Sequence, residues 1–110
     1  MQRTVVLRQT QDENGPRHLH ATLTKNGDVQ IEGQDFGAAV EQFFGEGFTE
    51  YEYALKIQSA DVPRLLDALG ASRHPLAALQ KHFENPDAAD PQSFLQEHGI
   101  PFEFWSRVGE

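Results

Sequence analysis

The chain has no cysteine at all. That excludes disulfides, thiolate metal ligands and thiol nucleophiles, and it fits a reducing cytoplasm. No apolar run approaches the ~20 residues that cross a bilayer, and no basic stretch followed by an apolar one opens the sequence. Neither a membrane span nor a signal peptide is therefore expected. Common catalytic signatures are missing too. None of Ser59, Ser72, Ser93 and Ser106 sits in a Gly-x-Ser-x-Gly elbow, and helix capping is the better account of most of them. Gly33 and Gly37, like Gly45 and Gly47, lack the lysine and the strand-to-helix setting of a phosphate-binding loop. Finally, no Lys or Arg occurs between Lys25 and Lys56, while Asp28, Glu32, Asp35, Glu41, Glu46, Glu50 and Glu52 do. That stretch carries −7 of the net −8. Such a surface repels phosphate backbones, which counts against nucleic acid, and attracts a basic protein; the plainer alternative is a solvated acidic face.

What is present suits one folded unit. The 110 residues fit a single domain, 1–110, with one core. The apolar fraction is only 38%, but eight Phe, two Tyr and one Trp supply much of the burial.

The first half alternates as strands do. Gln2 to Gln9 carries Val5, Val6 and Leu7, and the polar run Gln11 to Pro16 predicts a loop. Arg17 to Thr24 places Leu19, Ala21 and Leu23 on one face and His18, His20, Thr22 and Thr24 on the other; Val29 to Gly33 alternates likewise. Parity selects the turn between them. A two-residue Asn26-Gly27 turn would set Leu23 against Gln30, mixing apolar and polar faces. A three-residue turn, Lys25-Asn26-Gly27, sets Leu23 against Val29 and Ala21 against Ile31, with Gly27 left-handed. His20 then faces Glu32, and Thr22 faces Gln30. Asp35 is predicted to cap a helix with Phe36, Ala39, Val40, Phe43 and Phe44 on one face, ended by Gly45. Glu50 to Gln58 returns to strand, with Tyr51, Tyr53, Leu55 and Ile57 opposite Glu50, Glu52, Ala54 and Lys56.

The second half reads as helices. Ser59 is predicted to cap Val62 to Leu69, closed by Gly70; Ser72 or His74 precedes a helix from Pro75 that Asn85-Pro86 stops; Asp90 caps one from Pro91 that Gly99 closes. The tail, Ile100 to Arg107, alternates and is a candidate last strand. The fold class expected is α+β, an antiparallel sheet of 4–5 strands with helices covering one face and the polar face open to water.

Two stretches, from Ile31 to Gly37 with Phe43 to Gly45 and Glu50 to Tyr53, and the tail from Glu97 to Arg107, resemble a family of short uncharacterised bacterial proteins. The resemblance covers the chain from about Gly27 onward. It implies a bacterial cytoplasmic protein and no particular chemistry.

Candidate sites follow from the faces. His18 and His20 share one, and with Glu32 opposite they could ligate Zn²⁺; a simple His20–Glu32 cross-strand pair is the alternative. His74, His82 and His98 stand on separate helical segments without ligand spacing. Glu50 and Glu52 point the same way, a carboxylate pair of the kind that divides acid and base roles, but on an exposed strand both should stay ionised. If Phe102 and Phe104 face the core, then Glu103, Trp105 and Arg107 face outward. Trp105 either closes the edge of the core or forms a contact hot spot with Arg107. The leading reading is a non-enzymatic, immunity- or antitoxin-like module that binds a basic protein through Glu32, Glu50, Glu52, Trp105 and Arg107, with no cofactor. A small metal- or carboxylate-dependent enzyme using His18, His20 and Glu32, and a structural protein that self-associates by a strand edge, are the alternatives.

Overall fold

The turn at residues 25–27 sets the register of the first sheet ladder. The Thr24 N–H donates to the Asp28 carbonyl at 2.9 Å, and the Gly27 N–H donates to the Thr24 carbonyl at 3.0 Å. Gly27 takes φ +88°, the left-handed conformation that a side chain would strain. Leu23 therefore meets Val29, Ala21 meets Ile31, His20 meets Glu32 and Thr22 meets Gln30, as parity requires.

The computed structural model describes residues 3–12, 15–36, 45, 47, 50–85, 88 and 90–109. Among them are strands β1 (Arg3–Asp12), β2 (Gly15–Leu23), β3 (Val29–Phe36), β4 (Glu50–Ile57) and β5 (Glu103–Gly109). They form one antiparallel sheet in the order β1-β2-β3-β4-β5. Between β4 and β5 come a 3₁₀ turn, Ser59–Asp61, and helices α1 (Val62–Leu69), α2 (Pro75–Phe83) and α3 (Pro91–Glu97). The fold class is α+β, and the tail is a full fifth strand rather than a loose end.

Several local expectations needed correction. The predicted loop from Gln11 to Pro16 is mostly strand: Gln11 pairs with Pro16 and Asp12 with Gly15. Pro16 is tolerated because it lies beyond the reach of β3, which starts pairing with β2 at Arg17. Asp35 and Phe36 are both residues of β3, so no helix begins at Phe36. They pair with Tyr51 and Glu50, since an existing ladder outcompetes a new helical turn there. Residues 37–44, the remainder of that predicted helix, lie outside the described residues. Ser59 makes no side-chain cap. Its own N–H donates instead to the Asp28 carboxylate at 2.8 Å, so the β2–β3 turn caps the 3₁₀ turn.

Other signals act as read. Pro63 stands in the first turn of α1, and Gly70, at φ +70°, closes it. His74 takes the position before α2 in the left-handed region, at φ 63°, with no side-chain cap. Asp90 accepts from both the backbone N–H and the hydroxyl of Ser93, each at 3.0 Å, to cap α3.

One face of the sheet holds the core. Leu19, Ala21, Val29, Ile31, Leu55 and Ile57 pack against Leu65, Leu79, Phe83 and Leu95 of the helices. The helix α2 rests on β1 and β2. A bulge between Val6 and Arg8 turns both Leu7 and Arg8 toward this side. The Arg8 guanidinium lies 5.9 Å from the Phe83 ring, and the Gln80 side chain donates to the Val6 carbonyl at 3.2 Å. Gly33 also faces the core, and Tyr53 lies over it so closely that a Cβ at Gly33 would fall 2.2 Å from the Tyr53 Cζ.

Candidate functional site

Because helices cover one face, the alternate side chains of all five strands stand on the other. Antiparallel register arranges them in rows. One row runs Val6, His20, Glu32, Ala54, Trp105 across the sheet; beside it lie Thr4, Thr22, Gln30, Lys56, Glu103. On the other flank lie Gln9, His18, Gln34, Glu52, Arg107.

Polar contacts knit these rows. His20 Nε2 lies 3.2 Å from the Glu32 carboxylate, and the Thr4 and Thr22 hydroxyls are 3.0 Å apart. Gln34 donates to Glu52 at 3.1 Å, and Arg107 donates to the same carboxylate at 3.2 Å. Arg107 also lies 4.0 Å from Glu50, and Lys56 lies 3.7 Å from Asp28. Asp28, Glu32, Glu50 and Glu52, all within the acidic stretch, each meet a Lys, His or Arg from a different strand.

The Glu50 and Glu52 carboxyls are shifted in opposite directions. The hydrogen bond to Glu52, followed by desolvation, raises the Glu50 carboxyl above its ordinary value. The same bond, with Gln34 and Arg107, holds the Glu52 carboxyl below its own. The shared hydrogen bond shifts the two partners in opposite directions. The pair is laid out as a tie between β4 and β5, with Arg107 as the cross-strand cation.

Trp105 does not close the core. It pairs with Ala54 on the open face and is 53% exposed. Ala54 is small, and it stands between Glu32 and Trp105 in the row. The result is a shallow trough of about 490 Å³ over β3, β4 and β5 on the open face. Its walls include Glu32, Glu52, Glu103, Lys56 and Trp105, over a floor at Ala54. Three carboxylates thus meet one ammonium there.

Of the residues singled out from the sequence, Glu32, Glu52 and Trp105 line the trough, Arg107 lies between Glu50 and Glu52, and His20 is held by Glu32. His18 faces Gln34, one row away from Glu32. Among the described residues, no three His, Cys, Asp or Glu side chains are grouped to hold a metal ion. His82 and His98 are brought together by the helices: both rings lie 4.6 Å from that of Phe94. Glu103 and Ala54 escaped notice as site residues. The alternation of the tail was the available signal, because it placed Glu103 on the same face as Trp105, and pairing with β4 brings Ala54 between. Comparison of the chain with protein-family models, with curated proteins and with solved structures finds no match.

Proposed function

We propose that this chain is a binding module whose open sheet face receives a basic segment of a protein partner. The observation that carries the reading is Trp105, a large aromatic ring left 53% exposed beside a trough lined by three carboxylates. Indole faces attract cations, and ammonium and guanidinium groups desolvated against them gain ~0.5–2 kcal/mol. Glu32 and Glu103 supply the opposite charge, and the net −8 of the chain speeds encounter with a basic surface. Lys56 and Arg107, tied to Asp28 and Glu52, fix which carboxylates remain available and so favour one placement of the incoming cation over others. The shallow, water-exposed shape suits the side chains of a docked surface better than a small substrate, which is usually enclosed.

Trp105 is the only tryptophan, so its emission reports on the trough directly. A titration with an arginine-rich peptide should give a saturable emission change that weakens with salt, and an acidic peptide of equal length should give none. Glu32→Lys with Glu103→Lys should weaken binding about tenfold or more, from two charge pairs reversed. Glu97→Lys, on the exposed end of α3, should leave it unchanged. Equal weakening by Glu97→Lys would show that only net charge matters, and the trough would be rejected as the site.

A further inference from the structure

The sheet is open, so β1 and β5 both present an edge, and the two edges differ. β1 carries a bulge between Val6 and Arg8 that breaks its outer row of backbone groups. β5 pairs with β4 from Glu103 to Gly109 without a register shift, and it contains neither proline nor a bulge. Its two large apolar residues, Phe104 at 45% and Trp105 at 53% exposure, stand on opposite faces of the strand. A molecule docking on one face of the sheet covers only one of them. A strand added at the edge passes beside both.

We infer that β5 pairs edge to edge with β5 of a second copy of this chain, antiparallel and about a two-fold axis at Trp105. The charges of the strand select that partner and that register. Glu103 and Arg107 lie two residues on either side of Trp105 and on the same face of the sheet. Antiparallel pairing about Trp105 sets Glu103 of each copy against Arg107 of the other, so two opposite-charge cross-strand pairs flank a Trp105–Trp105 contact. Sliding the strands by two residues in either direction leaves both of these charges unmatched. Both side chains are already steadied on the open face: Glu103 accepts from Gln58 at 3.1 Å, and Arg107 donates to Glu52 at 3.2 Å while remaining 59% exposed. On the core side, Phe104 of each copy falls beside Ser106 of the other. The two five-stranded sheets join into one, and the two troughs lie side by side across the axis. This pairing rests on the backbone edge and the charge order of β5, independently of whether a cation enters the trough.

Analytical ultracentrifugation tests it. The wild type should sediment as a dimer of the 12.4 kDa chain. Glu103→Arg and Arg107→Glu should each be monomeric, because each places like charges face to face. An equimolar mixture of the two should recover a dimer, since every cross-strand pair between the two variants again joins one arginine to one glutamate. The double swap in one chain should dimerise with itself for the same reason. Arg107→Glu also loses the tie to Glu52, so hydrogen exchange on the unaltered protein supplies a second readout. Amides of β5 should gain protection as concentration rises, while those of β1 should not. A wild type that stays monomeric to millimolar concentration overturns the inference. So does a dimer that both single variants leave intact, or β5 protection that ignores concentration.

Discussion

Gly33→Ala is the substitution whose sign the structure decides. Gly33 sits within a strand, and its backbone is not in the left-handed region. On backbone grounds alone, alanine should stabilise by about 0.4–1 kcal/mol, because it narrows the unfolded ensemble. The Tyr53 ring reverses this. A Cβ at residue 33 falls 2.2 Å from the Tyr53 Cζ and 2.5 Å from its hydroxyl oxygen, so the ring must swing away. An aromatic side chain buries roughly 150–250 Å². Losing half of that at ~25 cal/mol per Å² costs roughly 2–3 kcal/mol. The net expectation is a loss of about 1–2.5 kcal/mol, or roughly 4–20 °C in the melting temperature of a domain this size.

A second readout follows the ring itself. Burial, with Asp35 and Asp90 nearby, pushes the Tyr53 phenol from 10.0 up to about 12. Ultraviolet difference titration should show one of the two tyrosines ionising late in the wild type and earlier in Gly33→Ala. The sign for stability is set by the raised value. Below pH 10 the contribution of the neutral phenol is whole, and it is lost as pH climbs from 10 toward 12, so the alkaline destabilisation of the wild type should shrink in the variant. In a Tyr53→Ala background, Gly33→Ala should turn neutral or stabilising. Destabilisation that persists there, or a phenol that still ionises near 12 after Gly33→Ala, would refute the account.

Two further outcomes are expected from the same structure. Asp28→Ala removes the carboxylate that accepts the Ser59 N–H at 2.8 Å and pairs with Lys56, and it should lower stability by about 1–2 kcal/mol in denaturant titration, with Asp28→Asn recovering part of the loss. His82, desolvated between Phe83 and Phe94 and repelled by His98, is held below its ordinary value of 6.5. The unfolded chain then binds the proton more readily, so stability should fall as pH drops below 6.5, and His82→Phe, which keeps the ring stack, should lessen the difference in melting temperature between pH 7 and pH 5.

Much of the sheet was legible because strand alternation is a local property. Leu19, Ala21 and Leu23 have to share a face with Val29 and Ile31, and only a three-residue turn permits it. Proline at residues 63, 75 and 91 and glycine at 70 and 99 mark the limits of helices for equally local reasons. Where local signals competed, the ladder prevailed: Asp35 and Phe36 look like a helix start, yet β4 offers them partners. The same competition turned the loop expected from Gln11 to Pro16 into paired strand.

The candidate site was half visible. Alternation placed Glu32, Glu50, Glu52, Trp105 and Arg107 on one kind of face, and it paired His20 with Glu32. The trough itself depends on β5 joining β4, a contact between segments about 50 residues apart in the chain, which no periodicity encodes. That single pairing brings Arg107 to Glu52, stands Trp105 beside Ala54, gathers Glu103 with Glu32, and leaves a charged strand at the edge of the sheet. The sequence by itself determined which residues are apolar on one side of each strand and charged on the other, because neighbouring side chains must alternate. Only the tertiary structure decided which charges meet, because strand order and register rest on the burial of a common core against the helices.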